Sequence, residues 1–330
     1  MPLEIIPLET KHLQDAATLV STRYKSLRER VPSLPSRYED TSTLLPLIQN
    51  LANQAPGVAA ICHGQFAGFL LGMAISQFHG RRSVYSPEWA NAADPHDSRR
   101  VYEEMYARLA ARWVANGCFT HLLSILAHDR AGIESWHWLG FGLLGVDVVR
   151  DLSPAQGPSA DVVMRRASLD DIKATMALEE ALWRHLTSEP TFLAYVERNS
   201  ARSQEEWLEN PANALWLAYQ GTEAVACIGI GPANPRACTI IRDEKTASIV
   251  RAFTLERARG QGIATALLDR SLDWARSEGY ERCAVDFESM NILAAHFWTR
   301  HFEPISYALM RRVDERVAWA HAKREHKDLW

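Results

Sequence analysis

The chain repeats itself, and the repeat limits what it can fold into. Trp113-Val-Ala-Asn-Gly117 returns as Trp274-Ala-Arg-Ser-Glu-Gly279 with one residue inserted. From there a constant offset of 162 pairs Gly117 with Gly279, Ile125 with Phe287, Asp129 with Asn291 and Trp136 with Trp298. Self-similarity on this scale means one folding unit present twice. The length agrees, since 330 residues exceed one ordinary core and suit two. Between the copies runs Leu152-Ser-Pro-Ala-Gln-Gly-Pro-Ser159, rich in residues that break helices and strands. The expected organisation is a first domain over 1–151, a linker over 152–160, a second domain over 161–312 and a tail over 313–330.

Within each copy the apolar spacing switches between strand and helix periods. In the first copy it predicts strands at 3–7, 57–62, 65–76, 83–87, 121–127 and 145–150, with helices over 11–31, 42–53, 100–116 and 131–138. In the second it predicts strands at 161–167, 213–220, 223–231, 247–255 and 282–288. Helices are expected there over 169–186, 203–209 and 263–278, with another following Asn291. The tail reads as a charged helical segment with Trp319 and Trp330, suited to packing across the copies or against a partner subunit.

The stretch 249–268 carries the most chemical information. A β-prone run ends in Arg259-Gly260-Gln261-Gly262, and helical spacing then begins at Ile263 and stops at Gly279. The first N–H groups of a helix have no internal partner and sit at the positive end of its dipole, so a glycine turn here forms an anion site. The Gly-x-x-x-x-Gly-Lys-Ser/Thr of a nucleotidase is missing, and Thr265 stands where a dinucleotide fingerprint has its third glycine. What remains is Arg259-Gly260-x-Gly262-x-Ala264. That pattern resembles the pyrophosphate loop of the GNAT superfamily of acyl-CoA-dependent N-acyltransferases. Asn291, Ala294 and Phe297 resemble the second signature of that family, but Trp298 replaces its usual tyrosine and His301 replaces the glycine before Phe302.

The resemblance implies an α/β (α+β) fold of two tandem GNAT-like domains. Each has a mixed, mostly antiparallel sheet flanked by helices, with two strands splaying apart for acyl-CoA. It implies acetyl-CoA as acyl donor, its pyrophosphate at Arg259, Gly260, Gln261, Gly262, Ile263, Ala264 and Thr265. The pantetheine arm passes Asn291, Phe297 and Trp298, and a backbone N–H near Phe253 or Thr254 meets the oxyanion. An amine arriving as ammonium must lose a proton. Glu288 is the first choice of base and Asp286 the second, since both lie late on the strand 282–288. An indole N–H is no acid near neutral pH, so Trp298 cannot protonate the thiolate; water or Tyr307 is left for that step. Glu179 and Glu180 read as solvated helix face, and His185, His296 and His301 show no spacing for a metal or a catalytic pair.

Opposite the glycine turn the first copy has Asp97-Ser98-Arg99-Arg100, and opposite Asp286 and Glu288 it has Ser124 and Leu126. Side chains where a pyrophosphate must come close make this copy read as degenerate. A net charge of −4 argues against nucleic acid or an anionic membrane as partner, and no apolar run approaches a bilayer span. Five cysteines without ligand spacing fit a reduced cytoplasmic setting and no metal, and Cys283 reads as core. The function expected is an acetyl-CoA-dependent N-acetyltransferase acting on a small-molecule amine. A non-catalytic acyl-CoA sensor or scaffold and a protein amine acetyltransferase are the alternatives, and a homodimer is left open.

Overall fold

The computed structural model describes residues 3–155, 157, 162–194 and 200–318. The tail helix around Trp319 and Trp330 lies outside the described residues. The chain folds as two compact units. The first runs through Val146 and resumes at Ile305; the second is Asp147–Pro304.

The first unit contains strands β1 (Leu3–Pro7), β2 (Gly57–Cys62), β3 (Gln65–Leu71), β4 (Met73–Phe78), β5 (Arg81–Ser86), β6 (Asn91–Ala93) and β7 (Thr120–Leu126). Its helices are α1 (Leu13–Arg30), α2 (Thr41–Gln54), α3 (Ser98–Ala115) and α4 (Arg130–Trp138). The strand expected at 65–76 is divided at Gly72 into β3 and β4, which lie in different sheets; a Cβ at Gly72 would lie 2.6 Å from Val84 and 2.7 Å from Trp113. The short β6 was not expected. It pairs with β3 while β5 pairs in parallel with β7, and Pro87-Glu88-Trp89-Ala90 between them belongs to neither strand. Proline has no N–H for a ladder, which accounts for the break. Leu70, Val101, Met105, Leu109, Trp113, Ile125, Trp136 and Phe141 belong to the buried core between this sheet and α3–α4.

β8 (Gly142–Asp151) carries the chain into the second unit. There follow β9 (Val163–Arg166), α5 (Ile172–Thr187), α6 (Ala201–Glu209), β10 (Ala214–Gln220), β11 (Glu223–Pro232), β12 (Thr246–Thr254), α7 (Ile263–Ser277), β13 (Arg282–Glu288) and α8 (Ile292–His301). The final strand, β14 (Glu303–Arg312), returns to the first unit and pairs antiparallel with β7, from Ser306 opposite Leu126 to Arg312 opposite Thr120. The second unit's strands run β8-β13-β12-β11-β10-β9. The units therefore differ from the expected boundaries at 151 and 312. The slot beside β7 holds the last strand of the chain, and the slot beside β13 holds β8.

The described residues of the linker, 152–155 and 157, contact the second unit. Arg276 donates to the Leu152 carbonyl at 2.5 Å, and the Ala155 N–H donates to Asp269 of α7 at 2.9 Å. A Cβ on Gly157 would lie 2.4 Å from Thr265. On α7 itself, Ile263, Leu267, Leu268, Ser271, Leu272, Trp274 and Ala275 form the buried face, the i, i+4 pattern of a helix lying on a sheet.

Candidate functional site

The site begins with a separation of strands. β12 runs parallel to β13 from Thr246 opposite Arg282 to Ile249 opposite Val285, and there the pairing stops. β12 continues to Thr254 against β11, with a register shift beside Gly229 and Ile230. The Leu255 N–H donates to the Val225 carbonyl, so alternation along the antiparallel ladder turns the N–H of Phe253 toward Cys227 on β11. Ala252 and Thr254 then face the gap. Of the two residues expected to supply the oxyanion N–H, the register favours Thr254, and it adds Ala252.

The gap opens into a cavity of about 450 Å³ lined by residues of α5, β11, β12, the turn before α7, the first turn of α7, and α8. Among the expected residues, Phe253, Thr254, Arg259, Gly260, Gly262, Ile263, Ala264, Thr265, Asn291, Phe297 and Trp298 all line it. Gln261 does not. Its side chain is turned to Gln220 and to the Arg257 carbonyl, although its backbone stays in the turn.

At the turn, Gly260 has φ +75° and Gly262 φ +76°, the left-handed region that L side chains avoid. A Cβ on Gly260 would meet no protein atom within 4 Å, so the space before the turn is open. Gly262 is the N-cap of α7, supplies no side-chain acceptor, and its carbonyl takes the Ala266 N–H as the first helical bond. The N–H groups of Ile263, Ala264 and Thr265 thus precede the first N–H bonded within the helix, and all three residues line the cavity. Arg259 donates through Nε to the Thr254 carbonyl at 3.1 Å, its guanidinium 5.9 Å from the centre of the Phe253 ring. Arg300 adds a second cation to the lining. N–H donors with no partner inside their own helix, open space at a glycine and two guanidinia fit a diphosphate.

The first unit is built differently at the equivalent place. With the offset of 162, α3 begins at the position of Gly260 and ends level with α7, so its first turn occupies the three residues that form the glycine turn in the second unit. Asp129 caps α4 by accepting the Gly132 N–H at 3.0 Å, just as Asn291 caps α8 by accepting the Ala294 N–H at 3.3 Å.

Over residues 178–302 the chain matches the acetyltransferase (GNAT) family model. This segment is a GNAT domain. A search of curated proteins returns no match. Among solved structures the chain is similar to a GCN5-related N-acetyltransferase from Sphaerobacter thermophilus, at 13% identity and a TM-score of 0.56, with 94% of this chain and 96% of that one covered. It also matches a GCN5-related glucosamine N-acetyltransferase region of a fungal multi-domain GH3 β-N-acetylglucosaminidase, at 12% identity and a TM-score of 0.49, with 94% of this chain and 38% of that one covered. The Sphaerobacter likeness extends the shared fold over nearly the whole chain, as two GNAT-like domains.

The carboxylates expected as bases do not line the cavity. Asp286 is exposed on β13, with Asn234 donating to it at 3.2 Å; protein atoms packed around it push its carboxyl pKa up. Glu288 is half-buried at the end of β13. Tyr307 is on β14 opposite Ile125, packed against the first unit's core, and is not brought to this GNAT site. Trp298 is buried between Phe297 and Phe302, with ring centroids 4.8 and 5.4 Å away. Cys283 is core as expected, its thiol pushed up to about 12 by burial. Sequence reasoning missed His185. It lines the cavity from α5, and its Nε2 lies 3.3 Å from Asn291 Oδ1. The two are 106 residues apart, so spacing could not reveal the pair.

Proposed function

We propose that this protein is an acetyl-CoA-dependent N-acetyltransferase that acylates a small-molecule amine by direct attack on the thioester. One observation carries the reading: β12 leaves β13 after Ile249, and the gap leads to a helix start with two left-handed glycines. Acetyl-CoA supplies an activated acyl group when bound. The N–H groups of residues 263–265, with Arg259, hold its diphosphate; Asn291, Phe297 and Trp298 flank the pantetheine arm; and the N–H of Ala252 or Thr254 polarises the thioester carbonyl. Asp286 and Glu288, off the cavity wall, act as bases only through bridging water. The first domain, with its phosphate turn absorbed into α3, serves as a degenerate partner domain. Five free thiols suit the cytoplasm.

The test is calorimetric titration with acetyl-CoA together with thiol release on spermidine, kanamycin, lysine and a short peptide. One acetyl-CoA per chain and turnover on a small amine support the reading; two per chain, or none, refute it. The buried indole of Trp298 in the family's tyrosine position favours a second reading, a non-catalytic acyl-CoA sensor. Binding without thiol release on any amine selects it. Turnover on the peptide alone selects a protein amine acetyltransferase.

A further inference from the structure

Acyl transfer to an amine moves one proton from nitrogen to sulfur, and the tyrosine that the family uses is absent. The titratable groups on the cavity wall are His185, Cys227, Arg259, His296 and Arg300. Burial pushes the Cys227 thiol up to about 11, and guanidinium does not release its proton near neutrality. His296 lines the cavity from α8 but is exposed to solvent, and no hydrogen-bond partner among the described residues fixes its ring. His185 is half-buried on α5, facing the head of α8, its ring 6.1 Å from that of Phe253 at the edge of the strand gap.

The protonation pattern of this imidazole follows from its partner. Asn291 Oδ1 accepts the Ala294 N–H, and a backbone donor cannot bond to an amide NH₂, so the atom facing His185 is an oxygen. An oxygen accepts only, so His185 Nε2 carries a hydrogen and donates it across 3.3 Å. The neutral ring then keeps its lone pair on Nδ1, with tautomer and orientation held by the cap of α8.

The first unit shows what this position looks like when closed. Arg23 of α1 reaches the equivalent helix cap, pairs with Asp129, and donates to the Ala93 carbonyl at 2.6 Å. Both charges are nearly buried. A permanent ion pair fills the gap there, whereas the second unit has a smaller pair of which one member can exchange a proton.

We propose that His185 is the proton relay of the transfer. As the N–C bond forms, Nδ1 takes the proton from the amine nitrogen. As the C–S bond breaks, its electron pair leaves on sulfur and His185 returns the proton there. The ammonium proton has by then passed to solvent through the water-bridged carboxylates, so the attacking group is the neutral amine. From it one proton leaves nitrogen and one reaches sulfur, and no co-reactant is needed. An imidazole serves both steps because the nitrogen that accepts a proton can give it back while the other keeps its hydrogen bond. The assignment rests on the acyl-transfer reading above.

The experiment uses the full chain, acetyl-CoA and the best amine of the four. His185→Gln keeps a donor for Asn291 but cannot relay a proton. It is expected to lower kcat by about 100-fold or more while leaving acetyl-CoA affinity within about twofold, which also shows that the variant is folded. His185→Ala is expected to regain turnover when free imidazole is added, a rescue that a purely structural side chain does not give. The relay is overturned if His185→Gln turns over like the wild type, if its loss only follows lost acetyl-CoA affinity, or if imidazole restores nothing. No thiol release by the wild type on any amine removes the acyl-transfer reading and the relay together, so the two failures are distinguishable.

Discussion

Gly260 provides the sharpest test of the turn before α7. Its φ of +75° means that Gly260→Ala forces an L residue into the left-handed region, at a cost of about 1–2 kcal/mol of stability. No protein atom lies within 4 Å of the new methyl, so the fold accepts it. The methyl instead stands in the open space before the helix N-terminus, where a diphosphate must approach. Each charge-assisted bond from a backbone N–H is worth about 1.5–3 kcal/mol. Losing two weakens coenzyme A binding by about 3–6 kcal/mol, or roughly 10²–10⁴-fold in Kd. Gly221→Ala is the matched control: φ is +60°, its methyl also meets nothing within 4 Å, and it lies in the turn between β10 and β11. Urea unfolding should show similar losses of stability in both variants. Calorimetric titration with coenzyme A should show lost affinity only in Gly260→Ala. Equal affinity in the two refutes the argument that this turn grips the ligand.

Copying the first unit's closure into the second, with His185→Arg and Asn291→Asp together, should shut the strand gap. A ligand would then have to displace a buried ion pair at about 3–5 kcal/mol, and titration should show acetyl-CoA weakened by about 100-fold or more. A double variant that binds normally would show that the gap is not the acyl path. His121 predicts an acid limit for the first unit. Burial lowers its pKa to about 4, while Tyr106 and the Cys118 carbonyl bond its two ring nitrogens. Between its ordinary 6.5 and about 4 the unfolded chain binds a proton that the folded ring refuses, so stability falls as the pH drops through that window and is flat above it. The integrated loss approaches about 3 kcal/mol. Urea unfolding from pH 7.5 down to 4.5 measures it; His121→Gln should make the slope shallower, and an unchanged slope would refute the assignment.

Local elements were legible because each obeys a local rule. The strand at 282–288 and the helix start at Ile263 fall where periodicity and the glycine turn place them. The residues of the turn and of α8 expected at the cavity line it, apart from Gln261, whose exposed side chain found partners on the surface. The distance of the carboxylates from the cavity wall was not legible for a related reason. Alternation on β13 puts Asp286 and Glu288 on one face, but only the neighbouring elements decide whether that face meets the cavity.

The repeat was legible in the order of residues alone, as letters that return at a constant offset of 162, and the glycine turn because its backbone conformation depends on a few neighbouring positions. Three features were decided only by packing. β8 and β14 are equivalent strands of the repeat, so exchanging them between units leaves every local pattern unchanged, and only the assembled sheets distinguish the two pairings. Pro87 marks a break in the sequence, but that β5 goes to β7 while β6 goes to β3 is seen only in the assembled sheets. The contact between His185 and Asn291 joins a helix face to a helix cap far apart in sequence, and neither end signals the other until the sheet between them is built.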